Sequence, residues 1–359
     1  MPQLVDAPPM TPPAHRHGAL YSVQLMRGLA ALIVVAHHTS LIMAHPEYGA
    51  MHAFERATKF GWTGVNFFFV LSGFIILFAH SKDIGRKDRI GHYLWRRFSR
   101  VYPIYWIFLT VFIGAAVTGF GRVDFGLDWP NLLTSYTLIE WVVPALPLKV
   151  AWTLFYEIFF YGMFGLLILS KRGGTAAFLI WIAAILFSAF GLGQHDMGWA
   201  SAWNINFLLG GAVYYGFTRI DPKYGLVVLL AGAGVYGALA AGGWIYDRPD
   251  LEQVAPLPLI AIGLAFAGVL LGGVLAERHY RLRVPRVLLM FGDASYAMYL
   301  VHSAVISASC MINRRLDHGR LPDWAVFCLI FAVAVTAGVA VHFVIERPVL
   351  ALMRRRRAG

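Results

Sequence analysis

The sequence predicts an all-α integral membrane protein, a bundle of about ten transmembrane helices with both termini cytoplasmic. Three observations predict it. Hydrophobic residues make up 58% of the 359 and charged residues only 14%, whereas a soluble domain carries about 25% charged residues. Apolar stretches near 20 residues, the length that crosses a hydrocarbon core of about 30 Å, recur along the whole chain. Lys and Arg collect between those stretches and alternate in abundance from one gap to the next, as cytoplasmic and outer loops do. With a mean hydropathy of +0.63, the composition argues against a two-domain soluble enzyme and against a disordered chain.

The elements follow in order. Five prolines (Pro2, Pro8, Pro9, Pro12 and Pro13) and no basic-then-apolar pattern make residues 1–19 a disordered cytoplasmic tail and not a signal peptide. The first span, Leu20–Ala44, must then direct insertion itself. A Phe-rich span, Trp62–His80, is separated by the basic stretch Lys82–Arg100 from Val101–Gly119. The longest gap, Phe120–Lys149, is rich in Trp and Pro and precedes Val150–Ser170. The tight connection Lys171–Gly174 leads to Thr175–Gly193, and Trp199–Phe217 follows. A second tight connection, Arg219–Tyr224, leads to Gly225–Tyr246 and then Ala255–Leu275. Val287–Ile312 and Trp324–Leu350 complete the ten, which together form one domain over 20–350 ahead of a basic cytoplasmic tail over 351–359. No strand-length alternation typical of an outer-membrane barrel occurs.

Charge tests the count. With the N-terminus inside, 22 of the 30 Lys and Arg residues fall on the cytoplasmic side, and one missed span would scramble that bias. The sequence pI is near 9.8, yet no basic stripe lies on a soluble surface, so the partner is the bilayer and not nucleic acid. Cys310 and Cys328 lie in apolar runs and offer neither a disulfide framework nor a metal-ligand spacing.

Polar residues inside the spans carry the most information, because a charge at mid-bilayer costs about 2.5–3.5 kcal/mol on insertion scales. They are Arg27, His37, His38, Ser72, Glu157, His302 and His342, with Asn66, Asn204 and Asn206 as neutral companions. Arg27 and His38 are eleven residues apart, three helical turns plus about 20°, and so share one face. Arg27 then sits near the cytoplasmic interface and His38 near mid-membrane, whereas His37 points elsewhere. Glu157, in Trp152-Thr153-Leu154-Phe155-Tyr156-Glu157, is the one acidic residue deep within a span. It arrives at the depth of His38, where a carboxylate would orient the imidazole as a general base; a structural ion pair is the competing account.

Arg97 and Arg100 share a helical face at the cytoplasmic mouth of the third span. Paired guanidinium forks grip phosphate oxygens, although spacing alone favours an anchor on anionic headgroups. Gly64–Phe74, containing Ser72, has small residues that permit close helix approach. Ser295, Tyr299 and His302 share a face of the ninth span, and His342 with Glu346 reads as a local structural pair. There is no phosphate-cradling Gly-x-x-x-x-Gly-Lys, no His-Glu-x-x-His and no Gly-x-Ser-x-Gly.

Together these segments resemble the acyltransferase-3 family of membrane proteins, closest to its exopolysaccharide-production branch. The residues that carry the resemblance are Arg27 with His38, Gly64–Phe74, Arg97-x-x-Arg100 before Tyr102-Pro103, Trp152-Thr-Leu-x-x-Glu157 with Tyr161, Ser295-Tyr-x-x-Tyr-Leu-x-His302, and Glu346-Arg347-Pro348. Asn66 departs from the family, standing where many relatives have Asp, and Ile158 stands where a second acidic residue is common. The resemblance implies a bacterial inner-membrane enzyme with no permanently bound cofactor. It implies an acyl-CoA donor, acetyl-CoA first, on the cytoplasmic side and a carbohydrate or lipid-linked saccharide hydroxyl as acceptor. By position His38 and Glu157 would be catalytic, Arg27, Arg97 and Arg100 would hold the donor, and Ser72, Tyr299 and His302 would support them. No extracytoplasmic esterase-like domain is expected after the last span, and the acceptor is expected near Phe120–Lys149. Direct transfer and an acyl-His intermediate both stay open, as does oligomeric state. The alternative is a transporter or flippase of a lipid-linked sugar without acyl transfer, since intramembrane Arg, His and Glu also build proton relays.

Overall fold

A computed structural model describes residues 20–119, 125–143, 145–191, 198–245, 255–280, 284–316 and 321–355. The expected tail over 1–19, the end of the basic tail, Tyr246 and parts of the Phe120–Lys149 gap lie outside these residues. Among the described residues the structure is all helix, with no strand.

Ten helices among the described residues lie on the ten expected spans: α1 Tyr21–Ala44, α2 Gly64–His80, α3 Ile90–Val117, α4 Trp152–Leu169, α5 Lys171–Phe190, α6 Ile205–Arg219, α7 Gly225–Ala241, α8 Pro256–Tyr280, α9 Arg286–Leu316 and α10 Asp323–Val341. A terminal helix, α11, spans Arg347–Arg355. Nine of these segments among the described residues are long and apolar enough to cross a membrane. The tenth, α6, has 15 residues, about 22 Å at 1.5 Å per residue. The local polar chemistry shortens it. Asn204 Nδ2 donates to the carbonyls of Gly198, Trp199 and Ser201, so the chain enters α6 through a side-chain-bonded turn, an alternative that Ser and Asn offer to helix.

Successive helices run in alternating directions. At one end Gly85 N–H donates to the Leu167 carbonyl, Arg278 to the Phe217 carbonyl, and the first backbone N–H groups of α1 to Glu277. At the other end Trp62 bonds the Ile245 carbonyl, and the His52 N–H meets Asp323. The first end is the basic end, holding Arg96, Arg97 and Arg354 and the start of α1.

Packing is centred on α2, which is enclosed on most of its surface, while α5 and α7 lie at the periphery and turn residues such as Ile180, Phe187 and Val227 outward. α1 lies chiefly on α9, α2 on α6, and α7 on α8. Glycines set the first two crossings. A Cβ on Gly292 would lie 2.1 Å from the Gln24 carbonyl oxygen, and one on Gly210 would lie 2.0 Å from that of Val70. The α1–α9 contact brings Arg27 to Ser295 and Gln24 to Asp293. Gly292→Ala is therefore expected to destabilise the protein by about 1–3 kcal/mol through overpacking, seen as a lower melting temperature in detergent; an unchanged melting curve would exclude this crossing as a stability determinant.

Three departures from the expected spans have physical causes. α3 starts at Ile90 instead of Val101, because His92–Arg100 extends the helix with a basic, aromatic-rich face at the basic end. The last span is interrupted by a π-turn, His342–Glu346. Pro348 removes the N–H that would bond Val344, so the helix ladder is rearranged around it. The Phe120–Lys149 gap contains a helix, Trp129–Thr137, with Asp128 as its N-cap accepting from the Asn131 N–H. Hydrogen bonding to Asn131 holds the Asp128 carboxyl below the usual range.

The short helix folds back along α3. Ser135, Tyr136 and Thr137 offer three consecutive carbonyls, which Tyr105, Trp106 and Tyr102 satisfy at 2.7, 2.8 and 2.7 Å. Tyr102 lies about 22 Å from the far end of α3, so this segment is no simple outer loop. The last-turn carbonyls, which have no partner within their own helix, are thus satisfied by protein.

Candidate active site

A cavity of about 1200 Å³ lies between α1, α2, α3, α4, α9 and α11. It reaches the surface at the basic end beside Arg96 and Arg354, both exposed. Arg27, Arg97, Arg100, Arg347 and the two mouth arginines border it, against Glu157 and Asp293 as the acidic groups. The excess of guanidinium groups over carboxylates gives the cavity a positive potential that favours anions.

Each arginine is held differently. Arg27 Nη1 donates to Gln24 Oε1 at 3.0 Å and Nη2 to Ser295 Oγ at 2.9 Å. The guanidinium of Arg97 lies 5.6 Å from the Tyr161 ring centroid, and its buried Nε has no partner. Arg100 Nη1 donates to Glu346 Oε1 at 2.9 Å and stacks over Tyr296. Glu346 is fully buried on the π-turn, and its Oε2 faces His342 Nδ1 at 2.8 Å. The expected His342–Glu346 pair thus exists and reaches further, fixing Arg100 from α3. The four-residue spacing of His342 and Glu346 signalled the pair; nothing local in the sequence signalled Arg100.

Glu157 accepts from Ser72 Oγ at 3.2 Å and from the Tyr161 hydroxyl. The structure therefore brings Ser72 and Glu157 together, on the same cavity wall as Arg97 and Tyr161. It does not join Glu157 to His38. His38 lies about 26 Å along α1, past its midpoint, and its Nδ1 is 3.0 Å from the Val34 carbonyl. A carbonyl only accepts, so Nδ1 carries the proton, and in the neutral ring Nε2 carries the lone pair.

His38 meets His302 instead. Their ring centroids are 4.9 Å apart at 65°. His302, fully buried, donates from Nδ1 to the carbonyls of Tyr299 and Met298 at 2.7 and 3.1 Å. Two imidazoles, each pinned through Nδ1 to its own helix, thus adjoin one another. His37 bonds the Thr58 carbonyl at 3.1 Å, away from α9. Tyr299 lines the cavity, and its hydroxyl donates to the Val150 carbonyl at 2.7 Å and is 2.8 Å from Thr153 Oγ1. His302 stands one helical turn beyond Tyr299 on α9.

Asn66 is completely buried with neither amide atom bonded, and Asn206 leaves its Oδ1 unpaired. Such groups mark where the helix interfaces hold polar surface without a protein partner.

Comparison with known proteins bears on this arrangement. A family profile described as an acyltransferase domain (Acyl_transf_3) matches residues 20–343. The acyltransferase MdmB of Streptomyces mycarofaciens is 27% identical, over 94% of this chain and 93% of that protein. The exopolysaccharide production protein ExoZ of Rhizobium meliloti (strain 1021) is 26% identical, over 83% of this chain and 92% of its own. No solved structure matches. The helical bundle, its arginine-lined cavity and the profile that spans most of the chain lead to one conclusion: the protein belongs to the acyltransferase-3 family of membrane acyltransferases.

Proposed function

We propose that the protein is an O-acyltransferase of a bacterial inner membrane, with both termini cytoplasmic. It moves an acyl group, acetyl, from acyl-CoA at the basic end to a hydroxyl of a carbohydrate or lipid-linked saccharide. The observation that carries this reading is the arginine-lined cavity, whose lining residue Tyr299 stands one turn of α9 from the His302 that adjoins His38. Guanidinium forks bind phosphate oxygens, and the thin thioester arm of such a donor extends along the cavity toward Tyr299. The name of the relative involved in exopolysaccharide production supports a carbohydrate acceptor.

In the reaction the acceptor hydroxyl attacks the thioester carbonyl while His38 Nε2 takes its proton. The C–S bond breaks, and the departing CoA thiolate receives a proton in turn. Glu157 acts away from the base, balancing the cavity's positive charge and holding Ser72 and Tyr161 on its wall. Arg27, Arg97 and Arg100 hold the donor, with Arg100 aimed by Glu346.

The test is acyl transfer from labelled acetyl-CoA to saccharide by the purified protein in proteoliposomes, read as CoA thiol release. Arg97→Ala is expected to raise KM for the donor about 10- to 100-fold, the value of one or two charge-assisted hydrogen bonds, with a smaller effect on kcat. Sugar transport without any CoA release would overturn the proposal in favour of a carrier.

A further inference from the structure

We infer that the mouth of the cavity holds a subsite for the purine base of the donor, formed by the Trp95 indole and the inward strip of α11. The inference rests on the acyl-CoA reading and adds where the nucleotide end is recognised. In sequence the first half of α11, Arg347–Leu350, reads as the end of the last span and the second half as the start of a basic tail. In the structure Arg347, Leu350, Ala351 and Arg354 border the cavity, at positions i, i+3, i+4 and i+7, the repeat of a single helical face. That face carries a guanidinium at either end, about 10 Å apart along the axis, with apolar side chains between.

Trp95, on α3, borders the same cavity, and α3 packs on α11. The indole is stacked on Phe98, with centroids 5.8 Å apart at 29°, and Phe98 is stacked on Tyr102 at 5.3 Å. The ladder continues to Trp106, 5.3 Å from Tyr102 and bonded to the Tyr136 carbonyl. An aromatic side chain held by such a ladder loses little freedom when a ligand stacks on it. A planar π-face beside apolar side chains suits a flat aromatic ring, and flanking guanidiniums suit phosphates. A nucleotide joins both requirements in one molecule. An anionic lipid headgroup would use the guanidiniums alone and leave the indole without a role.

The experiment is equilibrium binding of radiolabelled acetyl-CoA to the purified full-length protein, with adenosine 3′,5′-bisphosphate and 4′-phosphopantetheine as competitors. Both fragments are expected to compete with the wild type. Trp95→Ala should weaken acetyl-CoA and adenosine bisphosphate by about tenfold or more, as loss of one stacked base does, and leave 4′-phosphopantetheine unchanged. Retained binding of that fragment shows the variant is folded, and Trp95→Phe should stay close to wild type. Equal weakening of all three ligands by Trp95→Ala, or no weakening of adenosine bisphosphate, would overturn the subsite. So would displacement of adenosine bisphosphate by phosphatidylglycerol vesicles with acetyl-CoA binding untouched. Acetyl-CoA binding without competition by adenosine bisphosphate would remove the subsite and leave the donor reading standing, whereas no acetyl-CoA binding would remove both.

Discussion

His38→Ala is expected to lower kcat about 10³-fold, within the 10²–10⁴ that general base catalysis contributes, while acyl-CoA binding stays within a few-fold of wild type. The separation follows from geometry. His38 lies about 16 Å along α1 from Arg27, so its removal touches no donor phosphate. Its Nδ1–H is occupied by the Val34 carbonyl, leaving Nε2 as the atom that can accept a proton. His38→Gln, which keeps polarity and approximate size but has no basic nitrogen, should be as inactive as the alanine variant. His302→Ala should cost less, because it removes the neighbouring ring and leaves the base. Steady-state kinetics on the four proteins decide the matter. A fully active His38→Gln variant, or a His302→Ala variant more damaged than His38→Ala, would move the base to His302, whose Nδ1 is pinned in the same way.

Glu346→Gln carries the second large effect, on stability. Glu346 is completely buried and holds both Arg100 at 2.9 Å and His342 at 2.8 Å. Removing one partner of a buried ion pair typically costs 3–5 kcal/mol, because the other charge is left unpaired. The Arg100 side chain keeps 33% of its surface exposed, so the lower end, about 3 kcal/mol, is expected. Thermal inactivation in detergent should therefore begin well below the wild-type temperature. Arg100→Met combined with Glu346→Gln should recover part of the loss, since it removes the orphaned charge, yet it should not recover donor affinity. A Glu346→Gln protein that melts with wild type would show that the π-turn is held by packing alone.

Residues near one another in sequence, or repeating at helical spacing, were the legible part of this molecule. The apolar runs mark the spans because a helix must satisfy its own backbone in lipid, and α1 begins within one residue of its expected start. Arg97 and Arg100 were read on one face of the third span, and Arg27 on a face of the first; all three border one cavity. Ends were harder to read where side chains compete for the backbone, as Asn204 does before α6, or where a helix continues past its apolar stretch, as α3 does. The pairing of His38 with Glu157 was inferred from depth alone. Depth leaves rotation about the bundle axis undetermined, and the rotation observed turns His38 toward α9 and Glu157 toward α2.

The amino-acid sequence by itself determined a multi-pass helical membrane protein, the alternation of its basic gaps, and the small set of polar side chains the spans carry. Hydrophobic periodicity and the cost of charge in lipid are local quantities, summed along one segment at a time. Only the tertiary structure decided which of those side chains meet. Glycine contacts such as Gly28 on Gly292 select the helix neighbours, and through them Arg100 finds Glu346, His38 finds His302, and the segment ending at Thr137 finds α3. Those contacts join residues as many as 264 positions apart along the chain, His38 and His302, and they are set by packing that no single segment encodes.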